Sequence, residues 1–502
     1  MVRTMMLTIA LASMATNMGA VTAGEVVVAP TDEKIVFTGR WNREDVSQPW
    51  CSWQGCSIIA KFEGTGIVVT LEAVDVGKDI IFVIIDNDVV HAKSIALDRG
   101  KKDYVLASGL ADGEHKVEIV KKSNAWKDRV ITFHGFVIQG GGLLDPPARP
   151  KHKIEFYGDS NFAGNSVGHE ENKGNLEFRD SYYCAVGIAS RMLDAEYHNN
   201  SQGGGRVQGI MARYWDRYYP ESEERWDFTR NSPEVVVVNI GANDVRSKVP
   251  DIKKAYHKFL NALRETHAKA HIVVMNGYGW AYNEPANYTA EIVKSRNDPN
   301  MSVLHFPWVF EKWHGCQYDH SGMANMLADH LSDLIGWEKK PSDVMNGFGR
   351  NGDVANGSFE EIAPFGGYGW RYISAKGVSR ISDADDALDG TCYVRLSHGD
   401  NVHQPNPANG GEKFAVSVWM RGQKAGDEGV ISIEFKDQKM WTNPLEVNSQ
   451  KVALTTDWKK YSISATAPTG GAKPVFQIKV IFKGVEGSVV DIDNVKMDGP
   501  GH

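Results

Sequence analysis

Residues Ile154 to Gly164 read Ile-Glu-Phe-Tyr-Gly-Asp-Ser-Asn-Phe-Ala-Gly, and this stretch decides the fold. A run rich in apolar residues ends at Gly158-Asp159-Ser160, and a small, glycine-punctuated segment follows it. The pattern predicts a buried strand whose carboxyl end presents a serine, at the edge of an α/β sheet where active sites gather. Because Gly, Asp and Ser also favour ordinary turns, an active site requires a base and an oxyanion hole from elsewhere in the chain.

The residues that follow this strand alternate between strand and helix patterns. Pro233 to Gly241 holds a continuous apolar run, which is typical of a strand buried on both faces. Asp251 to Ala270 has the spacing of an amphipathic helix, and a second buried strand follows from His271. Gly322 to Ile335 is predicted to be the closing helix. The order predicts a three-layer α/β domain with a parallel sheet over residues 151–338.

The regions on either side of this domain are predicted to be all-β. Short β-branched runs separated by turn residues predict a jelly-roll over residues 30–145. Alternating apolar and polar residues predict an antiparallel β-sandwich over residues 354–499, and the aperiodic residues 339–353 are expected to form a linker. The predicted fold class is therefore multidomain, with a β jelly-roll, an α/β domain and a C-terminal β-sandwich.

Two glycine- and asparagine-containing stretches could supply an oxyanion hole. Ser201 to Arg206 includes Gly203, where a backbone N–H can approach a ligand closely. Gly241 to Asp244 follows the buried strand, so the amide of Asn243 can point into a site at its end. Either stretch alone is usually a turn or a helix cap. Their placement after predicted strands favours a site that stabilises an oxyanion.

Three C-terminal histidines are candidates for the base that a serine nucleophile needs. His320 lies in Gln317 to Gly322, which is expected to be a polar loop before the closing helix, and it is the first choice. His314 is the second choice. His330 falls within the predicted helix, where a surface position is expected.

Composition and the N-terminus predict where the protein works. Of 502 residues, 42% are hydrophobic and 24% charged, the net charge is −8 and no block of like charge is present. These values favour uncharged ligands, and neither nucleic acid nor a membrane is expected as a partner. Residues 1–23 pair a basic Arg3 with a short apolar run and small residues, which predicts an export signal and a secreted or periplasmic protein.

Export makes disulfides possible among the five cysteines. Cys51 and Cys56 could close a small loop, and buried free thiols are the alternative. No Cys-x-x-Cys spacing typical of a zinc site is present.

The combined motifs resemble a known family. Gly158-Asp159-Ser160, the glycine loop at Gly203, Gly241 to Asp244 and His320 resemble the four sequence blocks of the SGNH (GDSL-type) hydrolases. The preceding region is similar to carbohydrate esterase family 2 in four stretches, 36–41, 62–65, 109–115 and 153–156. Members of that family join a jelly-roll to an SGNH domain and remove acetyl groups from plant polysaccharides. The resemblance covers roughly Ile35 to Trp337.

The resemblance implies roles for individual residues. Ser160 would be the nucleophile, His320 the general base, and the N–H groups of Ser160 and Gly203 with the side chain of Asn243 the oxyanion donors. Asp319 directly precedes His320, so either Asp319 orients the imidazole through an unusual loop or a backbone carbonyl does, as in a Ser–His dyad. The implied mechanism needs no cofactor.

Two further expectations concern sugar and metal binding. Trp280, after the second buried strand, is a candidate sugar platform, and packing in the core or at the rim is the alternative. The C-terminal region resembles β-sandwich carbohydrate-binding modules, which often carry a structural calcium. Glu360 and Asp493 are the candidate oxygen ligands.

The expected protein is a monomeric, secreted acetyl esterase that acts on acetylated plant polysaccharide, either xylan or glucomannan, through an acetyl-serine intermediate. Two alternatives remain open. One is an SGNH lipase, thioesterase or arylesterase; the other is a non-catalytic carbohydrate-binding protein whose hydrolase site has decayed.

Overall fold

The computed structural model describes residues 24–169, 174–244, 246–276, 288–306, 314–344, 346–347, 352–362, 369–371, 376–437, 443–471 and 473–500. The expected export signal, residues 1–23, lies outside the described residues. No helix in these ranges is both long and apolar enough to cross a membrane. The three predicted folding classes follow one another along the chain: a β domain, a parallel α/β domain and a second β domain.

The N-terminal domain consists of two antiparallel sheets packed face to face. In one, the strands are ordered β1-β10-β5-β8 with β3 on β10; in the other, β11-β4-β9-β6-β7 with β2 on β4. The strands are β1 (Glu25–Val28), β2 (Val36–Thr38), β3 (Trp50–Cys51), β4 (Ser57–Glu63), β5 (Gly66–Ala73), β6 (Ile80–Ile85), β7 (Lys93–Ala96), β8 (Gly100–Ser108), β9 (Glu114–Lys121), β10 (Ile131–Gln139) and β11 (Gly142–Leu143).

The cysteine pair suggested by the sequence lies together in this domain. All five cysteines fall in described parts of the chain, and all are buried free thiols. The side chains of Cys51 and Cys56 are hydrogen-bonded to each other, and burial raises the pKa of the Cys51 thiol well above its usual value. The two sulfur atoms are therefore neighbours, as the spacing of the residues suggested.

The central domain is a five-stranded parallel sheet with helices on both faces, ordered β13-β12-β14-β15-β16. Its elements are β12 (His152–Gly158), α1 (Ala185–Met192), β13 (Ala195–Asn199), α2 (Val207–Arg213), β14 (Val235–Asn239), α3 (Val249–Thr266), β15 (His271–Met275), α4 (Tyr288–Arg296), β16 (Met301–Leu304) and α5 (Gln317–Ile335), with short 3₁₀ helices at Leu176–Phe178, Phe228–Arg230 and Ala242–Asp244. In this strand order β13 lies on one side of β12, and β14 to β16 lie on the other. The point at which the order reverses is therefore at β12, and ligands bind at such points in open α/β sheets.

The strand β14 shows why this region folds as a parallel sheet. All five of its residues are buried. Val236 and Val238 join an apolar cluster with α2 and α3, whereas Val235 and Val237 face a second cluster with α1 and α5. A strand covered on both faces has no solvent-facing positions at which polar residues could alternate with apolar ones, so the continuous valine run follows from its position.

The C-terminal domain is a sandwich of two antiparallel sheets, ordered β17-β18-β25-β20-β23 and β19-β24-β21-β22. Its strands are β17 (Val378–Ser382), β18 (Cys392–Leu396), β19 (Asn401–Pro407), β20 (Lys413–Gly422), β21 (Glu428–Lys436), β22 (Glu446–Ala453), β23 (Lys459–Thr466), β24 (Gln477–Gly484) and β25 (Val490–Asp498). The period-2 burial of β20 shows one face packed in the core and one facing outward, as the sequence predicted.

The C-terminal sandwich is docked against the central domain. The hydroxyl of Tyr318, on α5, donates to the backbone oxygen of Pro405 on β19 at 3.0 Å. Part of the segment expected to be a linker is also attached to the central domain, since Arg191 on α1 pairs with Asp343 at 2.6 Å. The accessory domain therefore packs directly on the helix that closes the central sheet.

Candidate active site

Ser160 lies two residues beyond β12, at the carboxyl edge of the parallel sheet. Its turn is tight: a side chain at Gly158 would come within 2.8 Å of Phe162 and 3.0 Å of the backbone oxygen of Asn239. The carboxylate of Asp159 accepts the N–H of Asn161 at 2.9 Å and so fixes the turn from inside. The serine is thereby presented at the end of the strand, as the sequence predicted, with 7% of its surface exposed.

The structure brings His314, and not His320, to this serine. His314 Nε2 lies 2.9 Å from Ser160 Oγ. His314 lies in the segment that precedes α5, three residues before the helix begins. Burial, assisted by the positive charge of Arg179, lowers the pKa of His314 to about 4. A neutral imidazole hydrogen-bonded to a serine hydroxyl has the geometry of a general base.

The choice of His320 as the base is wrong in this geometry, because α5 begins earlier than the sequence suggested. The helix starts at Gln317 rather than at Gly322, so His320 lies in its first turn and is completely buried. Its Nδ1 accepts the backbone N–H of Ala185, the first residue of α1, at 3.2 Å. Burial lowers the pKa of His320 to about 3, so the side chain is a neutral acceptor that links two helices.

Asp319 also stabilises the start of α5 instead of orienting the base. Its Oδ2 accepts the backbone N–H of Cys316 at 2.9 Å, which caps the start of α5. The same oxygen pairs with the guanidinium of Arg371, which comes from the C-terminal region. The expectation that Asp319 bends back to a catalytic imidazole is therefore wrong, and the residue joins the accessory domain to the helix after His314.

The three residues expected to form the oxyanion hole are brought together. Ser160, Gly203 and Asn243 line one cavity of about 550 Å³, and His314 lines it too. Asn243 Nδ2 is anchored by a 3.0 Å hydrogen bond to the backbone oxygen of Gly205. A side chain at Gly205 would meet the hydroxyl of Tyr214 at 2.6 Å and the backbone oxygen of Gly158 at 3.2 Å. The loop can therefore come this close to the serine turn only with glycine at this position.

The acid at the end of the Gly241 to Asp244 stretch connects two loops of the site. Asp244 Oδ2 accepts the N–H of Val207, the first residue of α2, at 2.9 Å. This bond joins the loop that carries Asn243 to the helix that follows Gly203. The two candidate oxyanion loops are thus held to each other by a carboxylate at a helix N-terminus.

The cavity has a wall that sequence reasoning missed. Asn124, Trp126 and Arg129, in the segment between β9 and β10 of the N-terminal domain, line it, and so does Arg179 of the central domain. Asn124 Nδ2 donates to Asn165 Oδ1 at 2.6 Å across the domain boundary. No local motif marks these residues, since only the docking of the two domains brings them to Ser160.

The remaining predicted site residues are the candidate sugar platform and the two candidate calcium ligands. Trp280 falls outside the described residues. Glu360 Oε1 accepts the N–H groups of Thr391 and Cys392, and Asp493 Oδ2 accepts the N–H groups of Leu388 and Asp389. In the described ranges no group of three or more His, Cys, Asp or Glu side chains is arranged to hold a metal ion. A structural calcium at Glu360 and Asp493 stays a prediction.

A fully buried ion pair lies beneath the site and joins the first two domains. Arg40 Nη2 of the N-terminal domain contacts Glu155 Oε1 of β12 at 2.5 Å, and both side chains are completely buried. The Oη of Tyr157 accepts a further N–H from Arg40 at 2.9 Å. Although burial opposes it, the charge of Arg40 holds the pKa of Glu155 well below its usual value. The strand that carries Ser160 is therefore fixed to the β domain by charge.

A serine hydrogen-bonded to a histidine, at the carboxyl edge of a parallel sheet and beside candidate oxyanion donors, defines the class of serine hydrolases with an α/β fold. Residues 37–147 match the family described as "Carbohydrate esterase 2 N-terminal", and residues 156–334 match the "GDSL-like Lipase/Acylhydrolase family". These residues therefore carry a domain similar to the N-terminal domain of carbohydrate esterase family 2 followed by a GDSL-like hydrolase domain, which supports a serine carbohydrate esterase.

Individual relatives agree with this assignment. The cellulase/esterase CelE of Acetivibrio thermocellus is 29% identical over 329 residues, which are 60% of this chain but only 40% of that protein. The acetylxylan esterase / glucomannan deacetylase of Cellvibrio japonicus is 25% identical over 334 residues, 62% of this chain and 91% of that protein. A structure of a family two carbohydrate esterase from Clostridium thermocellum, in complex with cellohexaose, is 26% identical, with a TM-score of 0.56 over 60% of this chain and 99% of that one.

Proposed function

We propose that the protein is a secreted esterase that removes O-acetyl groups from plant polysaccharide through an acetyl-Ser160 intermediate. The observation that carries the proposal is the 2.9 Å contact between His314 Nε2 and Ser160 Oγ in a cavity shared with Gly203 and Asn243. The relatives named as acetylxylan esterase and as carbohydrate esterases support xylan or glucomannan as the substrate class.

The geometry supports a two-step reaction. His314 takes the proton of Ser160 as its oxygen attacks the acetyl carbonyl, and the N–H groups of Ser160 and Gly203 with the amide of Asn243 stabilise the resulting oxyanion. When the tetrahedral intermediate collapses, His314 gives the proton to the departing sugar oxygen. A water deprotonated by His314 then attacks acetyl-Ser160, and acetate leaves as the serine is restored.

The exposed wall of the cavity suits a sugar chain. Trp126 is 38% exposed and lines the cavity from the N-terminal domain, so its indole offers an apolar surface to a sugar ring. We propose that the polysaccharide lies between this residue and the serine turn. The C-terminal sandwich is proposed to bind sugar as well, from a fixed position on α5 rather than from a flexible tether.

The proposal is tested by acetate release from acetylated xylan, acetylated glucomannan and 4-nitrophenyl acetate. We expect release from at least one polysaccharide, and its loss in Ser160→Ala. Hydrolysis of long-chain 4-nitrophenyl esters in preference to acetate would favour a lipase. Sugar binding without release from any ester would indicate a binding protein with a decayed site.

Removing the amide of Asn243 is expected to slow the reaction strongly. Asn243→Ala should lower kcat by ~10²–10³-fold, because one preorganised donor to the oxyanion is lost. Steady-state kinetics with 4-nitrophenyl acetate checks this, and KM should change much less than kcat because the amide is aimed at the transition state. A kcat within twofold of the wild type would remove Asn243 from the oxyanion hole.

The pH dependence should reflect the lowered pKa of His314. Only the neutral imidazole accepts the serine proton, so a low pKa preserves activity on acidification. We expect kcat/KM to decline with a midpoint near pH 4, well below the ordinary histidine value of 6.5. The profile is measured with 4-nitrophenyl acetate at constant ionic strength, and the melting temperature at each pH excludes unfolding. A midpoint at or above the ordinary value would contradict this environment for His314.

A further inference from the structure

Two arginines line the active-site cavity from opposite domains. Arg129 belongs to the segment between β9 and β10, in the N-terminal domain, and Arg179 follows the 3₁₀ helix Leu176–Phe178 in the central domain. Both line the same cavity as Ser160 and His314. Each arginine is partly buried, so its charge is only partly screened by water. The mouth of the proposed esterase site therefore carries two cations.

Neither arginine has an ion-pair partner of its own in the described part of the chain, although the nearby carboxylate of Asp128 offsets part of the charge of Arg129. Neither forms an ion pair with a described carboxylate, and the Nε atoms of both are buried without a hydrogen-bond partner. The contact that Arg129 makes through its guanidinium is a 3.4 Å bond from Nη1 to the backbone oxygen of Asn124. The carboxylate among the residues that line the cavity, Asp128, pairs with Lys78 at 3.0 Å.

The two cations lie close enough to act on each other and on the base. Burial lowers the pKa of Arg179, and the charge of Arg129 lowers it further. The charge of Arg179 in turn adds to the effect of burial on the pKa of His314. Two like charges held close together, with no carboxylate among the described residues paired directly to either, are unfavourable, so the arrangement favours a ligand that brings negative charge.

We propose that the cleft binds an acidic sugar: the acetylated substrate carries a carboxylate, as a uronic acid does, and Arg129 and Arg179 bind it beside Ser160. A guanidinium presents paired N–H donors that match the two oxygens of a carboxylate, and such charge-assisted bonds are stronger than those to neutral hydroxyl groups. This inference rests on the proposed esterase function and narrows its substrate class. It also differs from the expectation of uncharged ligands, because the net charge of −8 does not describe this cavity.

The test compares two polymers that differ in the carboxylate alone. One half of a batch of acetylated glucuronoxylan is activated with a carbodiimide and reduced, so that its uronic carboxyl groups become primary alcohols that are not acetylated afterwards, and fractions of equal acetyl content are compared. The wild-type protein should release acetate from the acidic polymer with a kcat/KM ~10-fold or more above that for the reduced polymer, and added salt should diminish this preference.

The variants Arg129→Gln and Arg179→Gln assign the preference to the cavity. Each should lower the ratio of the two kcat/KM values by ~5-fold or more, because the ratio cancels any common effect on the base. Lys269→Gln is the charge-matched control. Lys269 is exposed and lies two residues before β15, at the opposite edge of the sheet from Ser160, so the ratio should not change.

Each outcome decides between the two proposals. Equal kcat/KM values on both polymers, in the wild type, would overturn the acidic-sugar inference and leave the esterase function intact. Acetate release from neither polymer, and from neither acetylated glucomannan nor 4-nitrophenyl acetate, would overturn the esterase function instead. Binding of deacetylated glucuronoxylan oligosaccharides to Ser160→Ala, compared with their carboxyl-reduced forms by calorimetry, then decides the inference without catalysis. Tighter binding of the acidic form, lost in Arg179→Gln, supports it; equal binding contradicts it.

Discussion

Replacing His314 by alanine is expected to lower kcat for 4-nitrophenyl acetate by ~10³-fold or more while the protein stays folded. His314 Nε2 is 2.9 Å from Ser160 Oγ, and a serine hydroxyl without an adjacent base is a poor nucleophile at neutral pH. Ser160→Ala should show a loss of similar size, because two residues that act as one unit do not have additive effects. The double variant should be no slower than either single variant.

His320→Ala is the matched control for this prediction. His320 accepts the N–H of Ala185 at the start of α1 and does not contact the serine. Its removal leaves a buried donor without its acceptor, which costs ~1–3 kcal/mol of stability. We expect a lower melting temperature and a kcat within a few-fold of the wild type. The reverse result, with kcat lost in His320→Ala and kept in His314→Ala, would contradict the site.

Replacing Arg40 by methionine is expected to reduce the free energy of unfolding by ~3–5 kcal/mol. Arg40 and Glu155 are both completely buried, so the variant leaves an interior carboxylate without its guanidinium partner, with the imidazole of His267 still 3.2 Å from Glu155 Oε2. Arg40 also donates to the backbone oxygen of Trp215 at 2.9 Å, so the N-terminal domain loses a second connection to the central domain. Chemical denaturation followed by tryptophan fluorescence measures the loss.

The sign of the pH effect distinguishes charge from packing in this variant. Although burial opposes it, the charge of Arg40 lowers the pKa of Glu155, and a lowered carboxyl pKa contributes stability above the unfolded value that is lost on acidification. The deficit of the variant should therefore be smallest at acidic pH and grow as the pH rises through the unfolded value. Arg40→Met combined with Glu155→Gln should recover part of the stability. Lys151→Gln, which breaks an exposed pair with Asp194 at 3.9 Å, should cost at most ~1 kcal/mol. A pH-independent deficit would show that lost packing dominates.

The domain classes were predictable because the pattern of buried positions along a strand produces a matching pattern of apolar residues in the sequence. The continuous valines of β14 indicated a strand covered on both faces, and the alternation in β20 indicated a half-covered antiparallel sheet. The placement of Ser160, Gly203 and Asn243 at one cavity was predictable for a related reason, since each follows a strand and the carboxyl ends of parallel strands meet at one edge. Local pattern and sheet geometry are sufficient for these residues.

His320 was preferred to His314 in the sequence because the start of one helix was placed five residues too late. Asp319 lies three residues after Cys316 and closes a capping box with it, but Cys and Asp replace the usual Ser or Thr and Glu or Gln, so the sequence signal for a helix start at Gln317 is weak. With that start, His314 is the histidine left in the loop and His320 is inside the helix. Arg129 and Arg179 carry no such signal, because their meeting depends on how two domains dock.

The central claim, that His314 activates Ser160, is tested most directly by covalent labelling with a fluorophosphonate that reacts only with an activated serine. Peptide mass mapping should place the label on Ser160 in the wild type and in His320→Ala. His314→Ala should remain unlabelled under the same conditions, although circular dichroism shows it folded. Labelling of Ser160 at an unchanged rate in His314→Ala, or its loss in a folded His320→Ala, would contradict the account.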